Sequence, residues 1–176
     1  GIERTQYFMG KFKNGFVWRA DIRKFFDNVD HSILKKIINR LITDKITAGL
    51  IDKIIDSYEP KPCKGISIGN LTSQIFSNIY LNEFDRHVKF SIKPCAYLRY
   101  GDDFIIFDKD KEYLEDTRCK VADYLLQELG LSLHLKNNVI IKAKHGLKFL
   151  VVIIYPNGRI LNKRNLTRIQ TKIDAT

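Results

Sequence analysis

Tyr97-Leu98-Arg99-Tyr100-Gly101-Asp102-Asp103-Phe104-Ile105-Ile106-Phe107 decides how this chain is read. Two apolar, β-favouring runs flank Gly-Asp-Asp, a pattern that predicts a hairpin with the acids at its tip. Neighbouring carboxylates repel, so placing them together costs stability unless a cation sits between them. Hard divalent cations such as Mg²⁺ take oxygen ligands, commonly one or two carboxylates together with substrate phosphates. Asp-Asp is also an ordinary turn former, and a third acid far upstream tips the reading. Asp21 closes the apolar run 16–22 and is followed by Phe25, Phe26, Asp27 and Asp30. Two strand-end acid clusters that meet in space suit two metal ions about 3.5–4 Å apart, the arrangement used for in-line phosphoryl displacement.

Asp21 followed by Phe26, then Tyr100-Gly101-Asp102-Asp103 between apolar strands, resembles motifs A and C of a reverse transcriptase palm. Between them, Ile68-Gly69-Asn70-Leu71-Thr72-Ser73-Gln74 is similar to motif B in its IGxxxSQ variant, the form found in reverse transcriptases of diversity-generating retroelements. Group II intron and retron relatives usually carry Gln where this chain has Ile68 and Pro where it has Gln74. The run ending at Lys136 resembles motif D, and Phe149-Leu150-Val151 resembles the FLG of motif E, the primer grip. Val151 departs from that pattern. Valine is poor at positive φ, so a straighter strand is expected there.

The resemblance implies an α+β fold: a ferredoxin-like, split βαβ palm with an antiparallel sheet, helices on one face and the active site on the other. It implies an RNA-directed DNA polymerase, error-prone in kind, acting with Mg²⁺, for which Mn²⁺ can substitute. Asp21 and Asp102 become the principal metal ligands, with Asp103 beside them and the Ile22 carbonyl contributing. Phe26 would lie under the sugar of the incoming dNTP and exclude a 2′-hydroxyl. Ile68, Gly69 and Lys136 fall on the nucleotide side; Ser73, Gln74, Tyr100, Phe149 and Leu150 fall on the template and primer side. Tyr97, Arg99, Lys148 and Arg159 are candidate contacts to the nucleic-acid backbone. The implied partners are an RNA template, a DNA or RNA primer, dNTP and an accessory protein of the retroelement.

Composition sets outer limits. Residues 1–176 are one domain's worth of chain. Hydrophobic residues at 44% and charged at 28% are ordinary for a globular protein. Lys plus Arg at 30 against Asp plus Glu at 20 gives a net charge of +10, which favours a polyanionic partner. Three scattered cysteines, Cys63, Cys95 and Cys119, match no metal-site spacing and no disulfide framework. No run is long and apolar enough to span a membrane, no signal peptide opens the chain, and a reducing cytoplasmic setting is expected. The chain opens on Gly1, and only 20 residues precede Asp21. The expectation is a palm-type piece of a longer protein, lacking most of the fingers and the thumb and weak in extension by itself.

Asp30 and Asp44 are placed as caps of helices over 31–41 and 45–57. His31 reads as a helix-start residue, and Ile46, Leu50, Ile51, Ile54 and Ile55 as inward-facing. A Pro- and Gly-containing loop over 59–65 breaks the second helix. Further helices are expected over 72–90 and 112–129, the last stopped by Gly130. Residues 131–135 alternate as a strand and Asn137-Asn138 reads as a turn into 139–141. The apolar run 146–155 ends in a hairpin turn at Pro156-Asn157, and residues 163–168 read as an exit towards a thumb. Other classes compete with this reading. A nucleotide cyclase would leave the motif B residues without a role, and Phe26 argues against an RNA-dependent RNA polymerase. An RRM-type binder lacks its Lys/Arg-Gly-aromatic pattern on a predicted strand, and a catalytically silent relative keeps the acids without turnover.

Overall fold

Residues 16–22 alternate between two buried faces. Trp18, Ala20 and Ile22 enter one hydrophobic core and Val17 enters another. This strand, β1 (Phe16–Ile22), is the spine of the molecule. The computed structural model describes residues 1–161, Thr167 and Thr171. Helix α1 (Ile2–Lys11) precedes β1; α2 (Phe25–Asn28), α3 (His31–Asn39), α4 (Lys45–Asp56) and α5 (Leu71–His87) follow it. A π-helical turn (Val88–Ile92) extends α5. Next come β2 (Ala96–Tyr100), β3 (Asp103–Asp108), α6 (Lys111–Leu129) and β4 (Leu133–Lys142), then β5 (Leu147–Phe149), β6 (Val152–Tyr155) and β7 (Gly158–Leu161). Except for Thr167, the expected exit run 163–168 lies outside the described residues.

The main sheet has the order β2-β3-β1-β4 with every neighbouring pair antiparallel. That is the split βαβ, ferredoxin-like order. On one face, Phe76, Tyr80 and Phe84 of α5 and Val121 and Leu125 of α6 pack on Trp18, Phe104 and Ile106. Trp18 meets Phe104 edge-on with ring centroids 5.3 Å apart, and the Tyr80 hydroxyl donates to the Leu129 carbonyl at 2.7 Å, fastening α5 to the end of α6. The opposite face is covered too. Met9 of α1 and Phe12 just after it, with Leu147, Phe149 and Ile154 of a second, β5-β6-β7 sheet, cover Val17, Ile105 and Phe107. Helices therefore share one face as expected for α5 and α6, while α1 lies on the other. Towards the β2–β3 tip that second face turns polar. The cross-strand pairs run Val17–Phe107, Arg19–Ile105, Asp21–Asp103.

Helix boundaries follow their caps. Asp30 accepts from the Ser32 and Ile33 amides at 3.0 and 3.2 Å, and Asp44 accepts from the Thr47 amide at 2.7 Å. Gly130, at φ 61°, ends α6. Three expectations need correction. In α4 only Ile55 is fully buried, while Ile46 is 84% and Leu50 59% exposed; the neighbouring elements reach only its Ile51–Ile55 side. Asn137-Asn138 is no turn, because β4 continues to Lys142 through a bulge: Ala20 pairs with Asn138 and Ile22 with Leu133. Nor is the 147–155 run straight. Leu150-Val151 is a two-residue hairpin turn between β5 and β6, and the positive φ (56°) falls on Leu150 instead of Val151. Among the described residues no helix is long and apolar enough to cross a membrane.

Candidate active site

The acids meet at one end of the main sheet. Asp21 and Asp103 face each other in register across β1 and β3. Gly101 (φ 62°) and Asp102 form the two-residue turn between β2 and β3, and the Asp102 carbonyl accepts from the Ile22 amide at 3.2 Å. Ile22 itself is buried, so its side chain pins the strand end. Burial raises the Asp102 carboxyl above its ordinary value, helped by the charges of Asp21 and Asp103; only its own amide opposes the shift. Asp103 is also raised, by burial and by Asp21, although the Arg19 guanidinium works against the shift. Such mutual repulsion marks a cluster short of positive charge.

Two side chains that motif reading missed complete the cluster. Arg19, two residues before Asp21 on the same face, donates from Nε and Nη2 to the two Asp103 oxygens at 3.0 and 2.7 Å. Its Nη1 donates to the Lys148 carbonyl at 2.8 Å. Asn137, delivered by the β4 bulge, donates from Nδ2 to Asp21 Oδ2 at 3.1 Å. Alternation along β1 was the available signal for Arg19, since a cation at i−2 from an acid shares its face. Nothing local marked Asn137, because bulge position depends on tertiary pairing.

Among the described residues no three Asp, Glu, His or Cys groups stand together as a ready metal cage. The donor chemistry still suits Mg²⁺ or Mn²⁺. Mg²⁺ is ordinarily held by one or two carboxylates, with waters and substrate phosphates completing its shell. Asp21 and Asp102 provide two, and Asp103 is occupied by a fork of hydrogen bonds.

Beside the hairpin tip lies a groove of ≈ 770 Å³ lined by Phe26, Gln74, Ser77, Asn78, Tyr100 and Gly101 among others. Phe25 is buried and Phe26 half-buried at its wall, with ring centroids 5.3 Å apart. Tyr100 is 61% exposed. Ile68 is 71% exposed, and Gly69 adopts φ +97° with open space where a Cβ would stand. His31, buried, bonds through Nε2 with the Gly65 carbonyl at 2.7 Å, and the Ile66 amide donates to the Phe26 carbonyl at 2.8 Å. The loop carrying Ile68 is thus tied to the helix carrying Phe26.

Other expected site residues stand elsewhere. Ser73 is buried beside Ile54, Ile55 and Phe76, so it faces the α4 packing and not the groove; neighbouring Gln74 takes the groove side. Phe149 is 1% exposed in the second core, which leaves Leu150 and Val151 at the hairpin tip. Tyr97 and Arg99 turn towards the helices: the Tyr97 hydroxyl and the Arg99 fork both donate to Asp85 of α5, at 2.6 to 2.8 Å. Both residues also line the groove beside the hairpin tip. Lys136 is exposed on the bulge, next in sequence to Asn137.

A four-stranded 2-3-1-4 antiparallel sheet with acids at the tip of its β2–β3 hairpin and at the adjoining end of β1 is the arrangement of a polynucleotide-polymerase palm. Residues 7–154 match the family model described as reverse transcriptase (RNA-dependent DNA polymerase), and the chain belongs to that family. It is 26% identical to Protein YkfC of Escherichia coli (strain K12), over 89% of this chain and 49% of that protein. It is 23% identical to a COX1/OXI3 intron 2 protein of Saccharomyces cerevisiae, over 80% of this chain and 24% of that one. The chain therefore spans half or less of these relatives. Among solved structures, apo telomerase from Candida tropicalis superposes with TM-score 0.67 at 15% identity, covering 92% of this chain and 40% of that one. Candida albicans telomerase, in complex with a fragment of telomeric RNA, gives 0.66 at 11% identity over 92% and 35%.

Proposed function

We propose that this chain is the catalytic palm of an RNA-directed DNA polymerase that joins a dNTP to a primer 3′-hydroxyl on an RNA template. The observation that carries the reading is the register that sets Asp21 opposite Asp103, with Asp102 beside them in the β2–β3 turn whose Tyr100 and Gly101 line the groove. Asp21 and Asp102 would hold Mg²⁺ or Mn²⁺, which supply neutralisation of the triphosphate and activation of the primer hydroxyl. Phosphoryl transfer asks the protein for positioning and electrostatics more than for a nucleophile. Phe26, at the groove wall, fills the space a ribose 2′-hydroxyl would need and so selects deoxyribonucleotides. Gln74 and Tyr100 line the path of template and primer, and Ile68 and the Gly69 backbone meet the nascent pair. Lys136 stands by for the triphosphate.

The motif B variant supports a finer reading, an error-prone enzyme of the diversity-generating retroelement kind that works with an accessory protein. The chain spans half or less of the curated relatives it matches, so the test uses the full-length protein. Primer extension by the full-length protein tests the proposal. Asp21→Asn and Asp102→Asn should abolish dNTP incorporation on an RNA template while primer–template binding persists; residual extension at the wild-type rate would defeat it, and a wild type that binds without extending would identify a silent relative. Phe26→Val should raise ribonucleotide incorporation relative to deoxyribonucleotide. An unchanged ratio with polymerisation intact removes the steric role.

A further inference from the structure

Among the described residues Arg19 is the cation paired within the acidic cluster, and the reading of the acids leaves it unexplained. Its side chain is 18% exposed and that of Asp103 14%, so the pair is largely withdrawn from water. Guanidinium stays protonated under all working conditions, so a fixed positive charge sits beside acids whose expected ligand is itself a cation. Both Asp103 oxygens are taken by Arg19 Nε and Nη2. Asp21 is met by the neutral amide of Asn137. The third guanidinium nitrogen reaches the Lys148 carbonyl on β5, which joins the acidic end of the main sheet to the second sheet.

We propose that Arg19 is a positioning residue that claims Asp103 as its own counter-ion, leaves Asp21 and Asp102 as the cation-binding pair, and anchors that arrangement to the β5–β6 hairpin. The inference rests on the reading of Asp21 and Asp102 as a cation site. Its consequence is a tension built into the site: Arg19 limits how tightly the site holds a divalent ion before substrate phosphates arrive. A purely structural ion pair would have no such effect.

Mn²⁺ titration of the full chain, followed by electron paramagnetic resonance without nucleotide or primer, separates the possibilities. Arg19→Gln removes one charge and frees Asp103, so Mn²⁺ should bind on the order of tenfold more tightly, the scale of one unit charge in a partly buried cluster. Arg19→Lys keeps the charge without the planar fork and should fall between wild type and Arg19→Gln. Unchanged or weaker binding in Arg19→Gln overturns the proposal. Should that variant fail to show a cooperative melt, Arg19→Lys decides in its place, by tightening or by failing to tighten. Asp21→Asn checks the underlying reading separately. If it binds Mn²⁺ as wild type does, or wild type binds none, the cation site itself is lost and Arg19 loses this role with it.

Discussion

Ile68 and Gly69 lie exposed in the loop before α5, where the proposed reading puts the incoming nucleotide. The glycine's φ of +97° is open to few other residues, and nothing lies within 4 Å of where its Cβ would be, so the backbone there is free to approach a ligand. Ile68 beside it is largely exposed, and a core-packing role does not account for it. An isoleucine side chain neither donates nor accepts a hydrogen bond, whereas a glutamine does both. One such bond is worth about 0.5–1.5 kcal/mol, up to roughly tenfold in discrimination between a correct and an incorrect pair. In the full-length protein, Ile68→Gln should therefore lower misincorporation opposite template adenine, by as much as that factor; equal error rates in the two proteins would rule the idea out. At this scale the sequence was informative about position: motif order brought Asp21 and Asp102 to one end of the sheet and Phe26 to the groove wall. It marked Arg19 only through alternation along β1, and it was silent on Asn137, whose placement arises from a bulge. It misled at Ser73 and Phe149, where motif membership says nothing of which way a side chain points.

At the scale of elements, strong local signals survived and ambiguous ones did not. Caps at Asp30 and Asp44 and the stop at Gly130 depend on neighbours a few residues away, and each helix began or ended where those residues stand. Asn137-Asn138 carries the same local turn signal, but there β1 supplies pairing on both sides of the bulge and keeps one strand. In 147–155 an apolar run hid a hairpin turn, because Leu150 adopts a left-handed conformation that leucine disfavours. The Asp30 cap gives a pH-dependent test. Burial pushes its carboxyl up, but hydrogen bonds from Ser32 and Ile33 and the nearby Lys64 outweigh that and bring it below its ordinary value. A depressed folded value means stability that is present above the unfolded value of 3.8 and lost as pH falls through the folded one. Asp30→Ala should cost about 1 kcal/mol at neutral pH, and urea melts at about pH 3 should show a smaller gap between variant and wild type. A gap that stays constant or widens would show that the carboxylate is not what stabilises α3.

At the scale of the whole molecule, one strand serves two cores, and that has a thermodynamic consequence. Trp18 and Val17 are adjacent on β1, yet Trp18 packs among the α5–α6 residues and Val17 among those of α1 and the second sheet. Phe104 and Ile105 divide in the same way on β3. Neither core can dissolve without stripping one face of the strands that the other core needs, so the described fold behaves as one cooperative unit. The same coupling fixes the site: Arg19 bonds to both sheets, and the acids share their strands with the two cores. Trp18, the chain's single tryptophan, is a natural probe. It is fully buried, and its indole nitrogen donates to Asn138 Oδ1 at 2.7 Å, at the edge of the bulge that presents Asn137 to Asp21. Its fluorescence reports the helix-side core and strand β1 directly, while far-UV circular dichroism reports helices and both sheets together. Denaturant unfolding followed by the two signals should give superimposable transitions with one midpoint and one slope. If α1 and the second sheet formed a separable layer, circular dichroism would change first and Trp18 fluorescence later. Two resolved midpoints would mean that the sheet is no shared spine and that the Arg19–Lys148 link joins parts able to move apart.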